Sequence, residues 1–457
     1  MNTVNVDFNK ALGKMKPVHS VNGGVTQGIA KLTSYKRLFE DLSIPYARYH
    51  DIEYPFGAGQ FIDIHCIFPN FDADENDENS YNFQCTDEYI QATVDSGTKP
   101  FYRLGESIDH SGKHFYINPP KDIEKWARIC EHIIRHYNEG WANGYRHNIE
   151  YWEIWNEPEG VPTDDYYPMW TGTKEEFFVL YKVTANHLKK CFGDKIKIGG
   201  YSAISIAGCC ERSKDAYDIF PNGKESMKKY YYEYFLDFIS YITSKENYAP
   251  IDFFSFHKYF SGIASVLDYE ASVCAIRQIM DKHGLKNAEI ICTEWNVNAP
   301  KKCTDMAAAA GVSAVFVASQ KSPVDMAMYY MIRSTSGYNG VITGASNINK
   351  PYYAFKSFSN LYNLGTEVYT EGGNEILYVL GAANEEKEAL TITNLGVDKD
   401  IKLIYINKGI FYNCKVYITD ADNDMTLISN IGYPNNKGEI YLQSTRNSII
   451  YIEFSRD

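Results

Sequence analysis

Two glutamates in this chain stand where a carboxyl group can do proton or nucleophile chemistry. One closes Tyr151-Trp152-Glu153-Ile154-Trp155-Asn156-Glu157-Pro158, and the other lies in Ile291-Cys292-Thr293-Glu294-Trp295-Asn296. Each follows an apolar run of strand length, and Pro158 forbids further sheet pairing, so Glu157 turns away from its strand. Two carboxyls facing one another suit glycosidic bond cleavage, where one donates a proton while the other stays ionised and attacks the anomeric carbon. Their surroundings must then differ. A carboxyl beside apolar rings such as Trp152 or Trp155 has its pKa raised, and one bonded by Arg or Tyr stays charged. A strand-end Glu also serves as a rim ion-pair partner, and it is the recurrence at two strand ends that favours chemistry.

The elements that must position them alternate along the chain. Short β-branched or aromatic runs at Asn22 to Thr26, Tyr46 to His50, Lys99 to Leu104, Ile149 to Trp155, Lys195 to Gly199, Ile251 to His257, Glu289 to Thr293 and Val324 to Tyr329 read as strands. Amphipathic segments separate them. Thr173 and Glu176 form a capping box with Gly193 beyond the same helix, Gly97 and Gly284 end two others, and the last helix starts near Pro351. Ile123, Trp126, Ala127, Cys130, Ile133, Ile134 and Tyr137 fall on one helical stripe, a packing face. Eight such units over residues 20–365 predict an α/β fold, a (β/α)8 TIM barrel, whose chemistry sits at the C-terminal strand ends. Residues 366–457 change to a period of two, with strands at Glu375 to Leu380, Ala389 to Asn394, Ile401 to Ile406, Cys414 to Thr419, Glu439 to Leu442 and Ile449 to Phe454. They predict an antiparallel β-sandwich accessory domain, to which Val4 to Phe8 of the N-terminal segment 1–19 can add a strand.

Composition narrows the partners. The 457 residues carry 45 basic and 58 acidic side chains, a net charge of -13 with no basic run, which excludes a nucleic-acid partner and favours a neutral or weakly charged substrate. Ten cysteines without CxxC spacing, and an N-terminus bearing Asp7, Lys10, Lys14 and Lys16, point to a reducing, cytoplasmic setting. The longest apolar run, Met306 to Ala318, is shorter than the ~20 residues that span a bilayer, so a buried helix is expected and no membrane span. Asp72 to Asn79 begins with the oxygen spacing of a calcium loop. It places Asp77 where such a loop needs Gly and Phe83 where it needs Glu, so no metal and no cofactor are expected. Association into homo-oligomers stays open.

The chain resembles glycoside hydrolase family 39, β-xylosidase-like retaining glycosidases on a (β/α)8 barrel of clan A. The resemblance rests on Tyr46-Ala-Arg48-Tyr-His50, Tyr81-Asn82-Phe83, Trp152 to Pro158, Ser255-Phe-His257-Lys-Tyr259 and Thr293-Glu294-Trp-Asn, in that order over residues ~20–365. It implies that Glu157 is the general acid/base and Glu294 the nucleophile, with Asn156 on the sugar 2-hydroxyl. Arg48 and Tyr259 would fix and ionise Glu294, and His50 and His257 would meet substrate hydroxyls or the carboxylates. The activity implied is exo cleavage of a terminal pentose from plant-derived oligosaccharides. The chain departs from the family's β-xylosidases at three places. Tyr329 to Ser334 stand where those carry a Trp and an acid, Asp51 follows the strand-end His in place of Gly, and Glu53 to Asn79 is an insertion. α-L-Arabinofuranosidase activity or another glycone specificity of the family, with α-L-iduronidase-like cleavage less favoured because the dedicated basic contacts a carboxylated sugar needs are not identified, and a carbohydrate-binding barrel without turnover, therefore stay open beside the β-xylosyl reading.

Overall fold

The predicted runs pair edge to edge, all in parallel, and close on themselves. The computed structural model describes residues 2–25, 34–52, 60–108, 115–160, 168–209, 224–260, 263–297, 305–335, 337–344 and 346–456. After an N-terminal strand, β1 (Asn2–Lys14), the barrel is built from β2 (Ser20–Asn22), β3 (Tyr46–Tyr49), β4 (Lys99–Leu104), β5 (Tyr151–Ile154), β6 (Lys197–Ala203), β7 (Phe253–Phe260), β8 (Glu289–Val297) and β9 (Met326–Tyr329). β9 pairs with β2 and closes the ring. The helices between them are α1 (Lys36–Asp41), α2 (Ile64–Ile67), α3 (Gln84–Val94), α4 (Ile123–Asn138), α5 (Lys174–Phe192), α6 (Lys224–Thr243), α7 (Ile263–Lys282), α8 (Asp305–Lys321) and α9 (Pro351–Leu364). Thr173 and Glu176 cap α5 reciprocally, and Pro351 opens α9 at its first turn.

Among the barrel strands only β4 keeps both predicted limits. β2 ends at Asn22, and Thr26 lies outside the described residues, as do residues 53–59 of the insertion. β7 begins at Phe253 and runs on to Phe260, and β8 runs on to Val297, so Glu294 lies within its strand. β8 is bulged there. Phe256 faces Cys292, but the next paired residue, His257, faces Glu294, so Thr293 is skipped. The extra residue re-aims the side chains that follow, a common device beside active sites.

Inside the barrel the side chains are layered. Phe101, Tyr151, Phe253, Ile291, Met326 and Met328 plug its lower part. One alternation further along their strands the interior turns polar, with Arg48, Arg103 and Glu153 all fully buried.

The second body is a nine-stranded sheet in the order β17-β16-β19-β14-β13-β12-β1-β15-β18. Its strands after the barrel are β12 (Thr366–Glu371), β13 (Leu377–Ala383), β14 (Lys387–Asn394), β15 (Lys399–Ile406), β16 (Asn413–Thr419), β17 (Thr426–Gly432), β18 (Lys437–Ser444) and β19 (Ser448–Ser455), preceded by a two-residue pair, β10 (Ile342–Thr343) with β11 (Asn347–Ile348). The sheet curls sandwich-fashion around its own core of Val4, Val6, Phe8, Leu377, Val379, Leu403, Val416, Ile452 and Phe454. β1 is inserted third from one edge, antiparallel to β12 and parallel to β15. The alternate residues Tyr378, Leu380 and Ala382 turn the other way and join the barrel's core, where α8 and α9 lie. This burial on both faces explains why β13 shows no polar alternation. The apolar run from Met306 is α8, with Ala308, Ala309, Ala310, Ala314 and Ala318 all buried.

Candidate active site

Arg48 organises the barrel mouth. It projects inward from β3 and is fully buried, so every donor must find an acceptor. Nε donates to Glu153 Oε2 at 2.7 Å, and Nη1 donates to Glu294 Oε1 at 2.8 Å and Asn22 Oδ1 at 3.1 Å. Nη2 donates to Asn156 Oδ1 at 2.8 Å and Ser202 Oγ at 2.9 Å. Burial alone would weaken its charge, but Glu153 and Glu294 outweigh that and hold its pKa above the ordinary value.

Glu294 is held at both oxygens, by Arg48 at Oε1 and by the Tyr259 hydroxyl, which donates to Oε2 at 2.7 Å. Those bonds favour the ionised form. Burial opposes them and is the larger effect; His257 and Arg48 pull downward, while Glu157 and Asp51 add to the upward push, and the net shift is upward.

Glu157 stands opposite. The chain leaves β5 through Trp155 at φ 71°, and Glu157 itself has φ 49°, with its N–H donating to the Ser202 carbonyl. The rings expected beside it are elsewhere. Trp152 stacks on Tyr102 and Trp155 packs against Trp126 and Trp170, both on the helix side of the barrel wall. For Trp152 the reason is alternation, since Glu153 takes the inward position and Trp152 and Ile154 point out; Trp155, inward by the same count, turns away where the chain leaves β5 at φ 71°. The partner Glu157 finds is His257, whose Nδ1 lies 2.6 Å from its Oε1 while Nε2 lies 2.6 Å from Ser202 Oγ. Burial pushes the His257 pKa down to about 4, so the ring is neutral near pH 7. Carboxylate oxygens of Glu157 and Glu294 and a nitrogen of His257 lie within 4.8 Å of one another.

The sequence motifs thus converge on one place. Arg48, Asn156, Glu157, His257, Tyr259 and Glu294 form a connected set, and His50 Nε2 lies 3.7 Å from Glu294 Oε1. Asn156 Nδ2 is buried with no partner among the described residues. Sequence reasoning missed Asn22, Ser202, Thr293 and Glu153. Ser202 Oγ lies 3.1 Å from Thr293 Oγ1, and Asn22 Nδ2 donates to the Thr293 carbonyl at 2.8 Å. Of these only Glu153 left a signal, a lone charge inside a buried strand.

The model of the glycosyl hydrolases family 39 matches residues 2–391. The chain belongs to that family. A protein named beta-xylosidase from Caldicellulosiruptor saccharolyticus is 26% identical over 321 residues, which are 65% of this chain and 56% of that protein, so the match spans little more than half of the relative. The fold is shared with a glucosidase from Croceicoccus marinus, with TM-score 0.79 at 18% identity over 100% of this chain and 99% of that one. It is shared too with a monomeric beta-xylosidase from Caulobacter crescentus, with TM-score 0.70 at 14% identity over 100% and 99%.

Around this family 39 barrel mouth lies a further polar shell. Asp51, at φ 54°, accepts from the Ile108 N–H at 2.7 Å and from the Tyr330 hydroxyl at 2.9 Å, and burial pushes its pKa up to about 7. Asp63 accepts from Arg103 at 2.6 Å and twice from Ser107 at 2.8 Å. His65 bonds Glu106 through Nδ1 and stacks on Tyr116 at 4.0 Å. The acidic stretch that began like a calcium loop forms turns instead, with Asp74 accepting from Asn76 and Asp77 from Asn79. Among the described residues no helix is long and apolar enough to cross a membrane.

Proposed function

We propose that this chain is a retaining glycoside hydrolase, exo in action, that releases a terminal pentose of β-D-xylosyl type from plant-derived oligosaccharides by double displacement. The observation that carries the reading is that two buried carboxyls, from the end of β5 and from β8, meet at the barrel mouth with an oxygen of one within 4.8 Å of an oxygen of the other. Retaining pairs stand about 5 to 5.5 Å apart, and inverting pairs about 6.5 to 9.5 Å apart to admit a water. The pentose assignment is supported by the beta-xylosidase relative.

In the first step Glu157 gives its proton to the leaving oxygen as Glu294 attacks the anomeric carbon, forming a glycosyl ester and releasing the aglycone. In the second, Glu157 takes a proton from the water that attacks the same carbon, and the ester bond breaks. A neutral imidazole has one N–H and one acceptor nitrogen, so His257 can accept from protonated Glu157 and donate to it once ionised. Asn156 Nδ2 is the donor for the sugar 2-hydroxyl. The cysteines Cys66, Cys85, Cys130, Cys191, Cys209, Cys274, Cys292 and Cys414 are free thiols, which supports a reducing compartment as the place of action.

The test is hydrolysis of aryl β-D-xyloside, α-L-arabinofuranoside, α-L-arabinopyranoside and β-D-glucoside. Glu294→Ala is expected to lose turnover on the preferred glycoside while remaining folded. Glu157→Ala is expected to keep its first step only with acidic leaving groups such as dinitrophenol, which need no proton. A product released with inverted anomeric configuration by NMR overturns the nucleophile, and efficient internal cleavage of xylan overturns the exo assignment.

A further inference from the structure

Asp51 is the residue the mechanism above leaves unused. It sits two residues beyond the end of β3 in the left-handed region, at φ 54°. Aspartate takes up this conformation more readily than most residues because its short polar side chain can bond locally. The Asp51 carboxyl is held by two elements. The loop after β4 supplies the Ile108 N–H to Oδ1, and the end of β9 supplies the Tyr330 hydroxyl to Oδ2. Ser107 Oγ accepts from the Asp51 backbone N–H at 3.1 Å.

Its placement ties it to the nucleophile. His50 Nε2 lies 3.3 Å from Asp51 Oδ1 and 3.7 Å from Glu294 Oε1, so one imidazole edge faces both carboxyls. Tyr330 packs edge-on to Tyr259, the donor to Glu294, at 6.5 Å. A sugar bound covalently to Glu294 would therefore have the Asp51 and Tyr330 pair in the wall beside it. The charges set its chemistry. Against the two guanidinium groups here, Arg48 bonded to Glu153 and Glu294 and Arg103 bonded to Asp63 through Nη2, stand five carboxyls, Asp51, Asp63, Glu153, Glu157 and Glu294, so negative charge dominates this wall. A carboxyl hydrogen-bonds a neutral hydroxyl in either protonation state, and like charge disfavours an acidic sugar.

We propose that Asp51, held by Tyr330, is a specificity-determining residue of the glycone pocket that binds a ring hydroxyl of a neutral sugar and rejects uronic acid glycones. The proposal rests on the glycosidase reading and deepens it. Its test compares wild type with Asp51→Asn and Asp51→Gly on the preferred aryl glycoside, on its monodeoxy analogues and on the matching uronide. Both variants should lose at least about tenfold in kcat/KM on the parent sugar. On the one deoxy analogue lacking the hydroxyl that Asp51 binds, wild type and variants should be equal, and uronide hydrolysis should rise relative to the parent. Equal losses on every analogue, or no loss on the parent, overturn the proposal and make Asp51 structural. A wild type silent on all glycosides overturns the glycosidase reading itself, a result separable from both.

Discussion

Arg48 shows how much one side chain can hold. Its planar fork binds two carboxylates, two amide oxygens and a hydroxyl, an arrangement the point charge of lysine cannot reproduce. In the sequence Arg48 was visible because it ends a strand beside His50, where barrel chemistry collects. Asn22 and Ser202 were invisible, since short polar residues at strand ends are the ordinary material of turns. Asp51 carries a consequence for pH. Its folded-state pKa of about 7 lies above the unfolded value near 3.8, so the folded protein binds the extra proton between them. That contribution is fully present below about pH 4 and is lost as pH rises through 7. Asparagine carries no such charge. The melting temperature of Asp51→Asn relative to wild type is therefore expected to climb from pH 4 to pH 7.5 in thermal scans. A constant difference would show that Asp51 is already ionised at the acid end.

At the scale of the elements, punctuation was legible and limits were less so. The capping box, the glycines at positive φ after α3 and α7, and Pro351 each have a local cause, and each stands where the sequence puts it. β12 and β17 went unread for different reasons. β12 follows Gly365 at once, leaving no loop to announce it, and β17 is exposed along nearly its whole length, so burial imposes no alternation. The bulge between β7 and β8 has no sequence signal either, because it is set by pairing between strands distant in sequence. The turn into the loop that carries Glu157 rests on a glycine. Gly105, at φ 137°, faces Trp155, and an added Cβ would stand 2.9 Å from its Cε3. Gly105→Ala is expected to cost about 1 to 3 kcal/mol in urea denaturation and to lower kcat by displacing the segment that carries Glu157. Unchanged kcat in a destabilised variant would separate packing from positioning here.

At the scale of the whole molecule the barrel and the curled sheet share a core. α8 lies between them, and Ser313 Oγ lies 2.6 Å from Thr393 Oγ1 while Gln320 donates to Glu367 at 2.7 Å. The change of hydrophobic period near residue 366 made the second body readable, but the period alone did not reveal that its central strands are buried on both faces. A chain ending at residue 365 would expose the sheet-facing side of α8 and α9 and strand β1 without its neighbours. It is expected to aggregate, while the full chain melts in one calorimetric transition. Two resolved transitions would mean that the bodies fold independently.

The position of β1 has a temporal side. Asn5 pairs with Glu371 and Ile404, so this strand, once it leaves the ribosome, needs partners made more than 360 residues later. At about 5 to 20 residues per second that is a wait of roughly 20 to 70 s. Val4, Val6 and Phe8 spend it uncovered while the barrel forms beside them. The order of synthesis and the order of assembly run against each other, and a nascent chain of this protein is a natural client for a chaperone that shields short apolar strands.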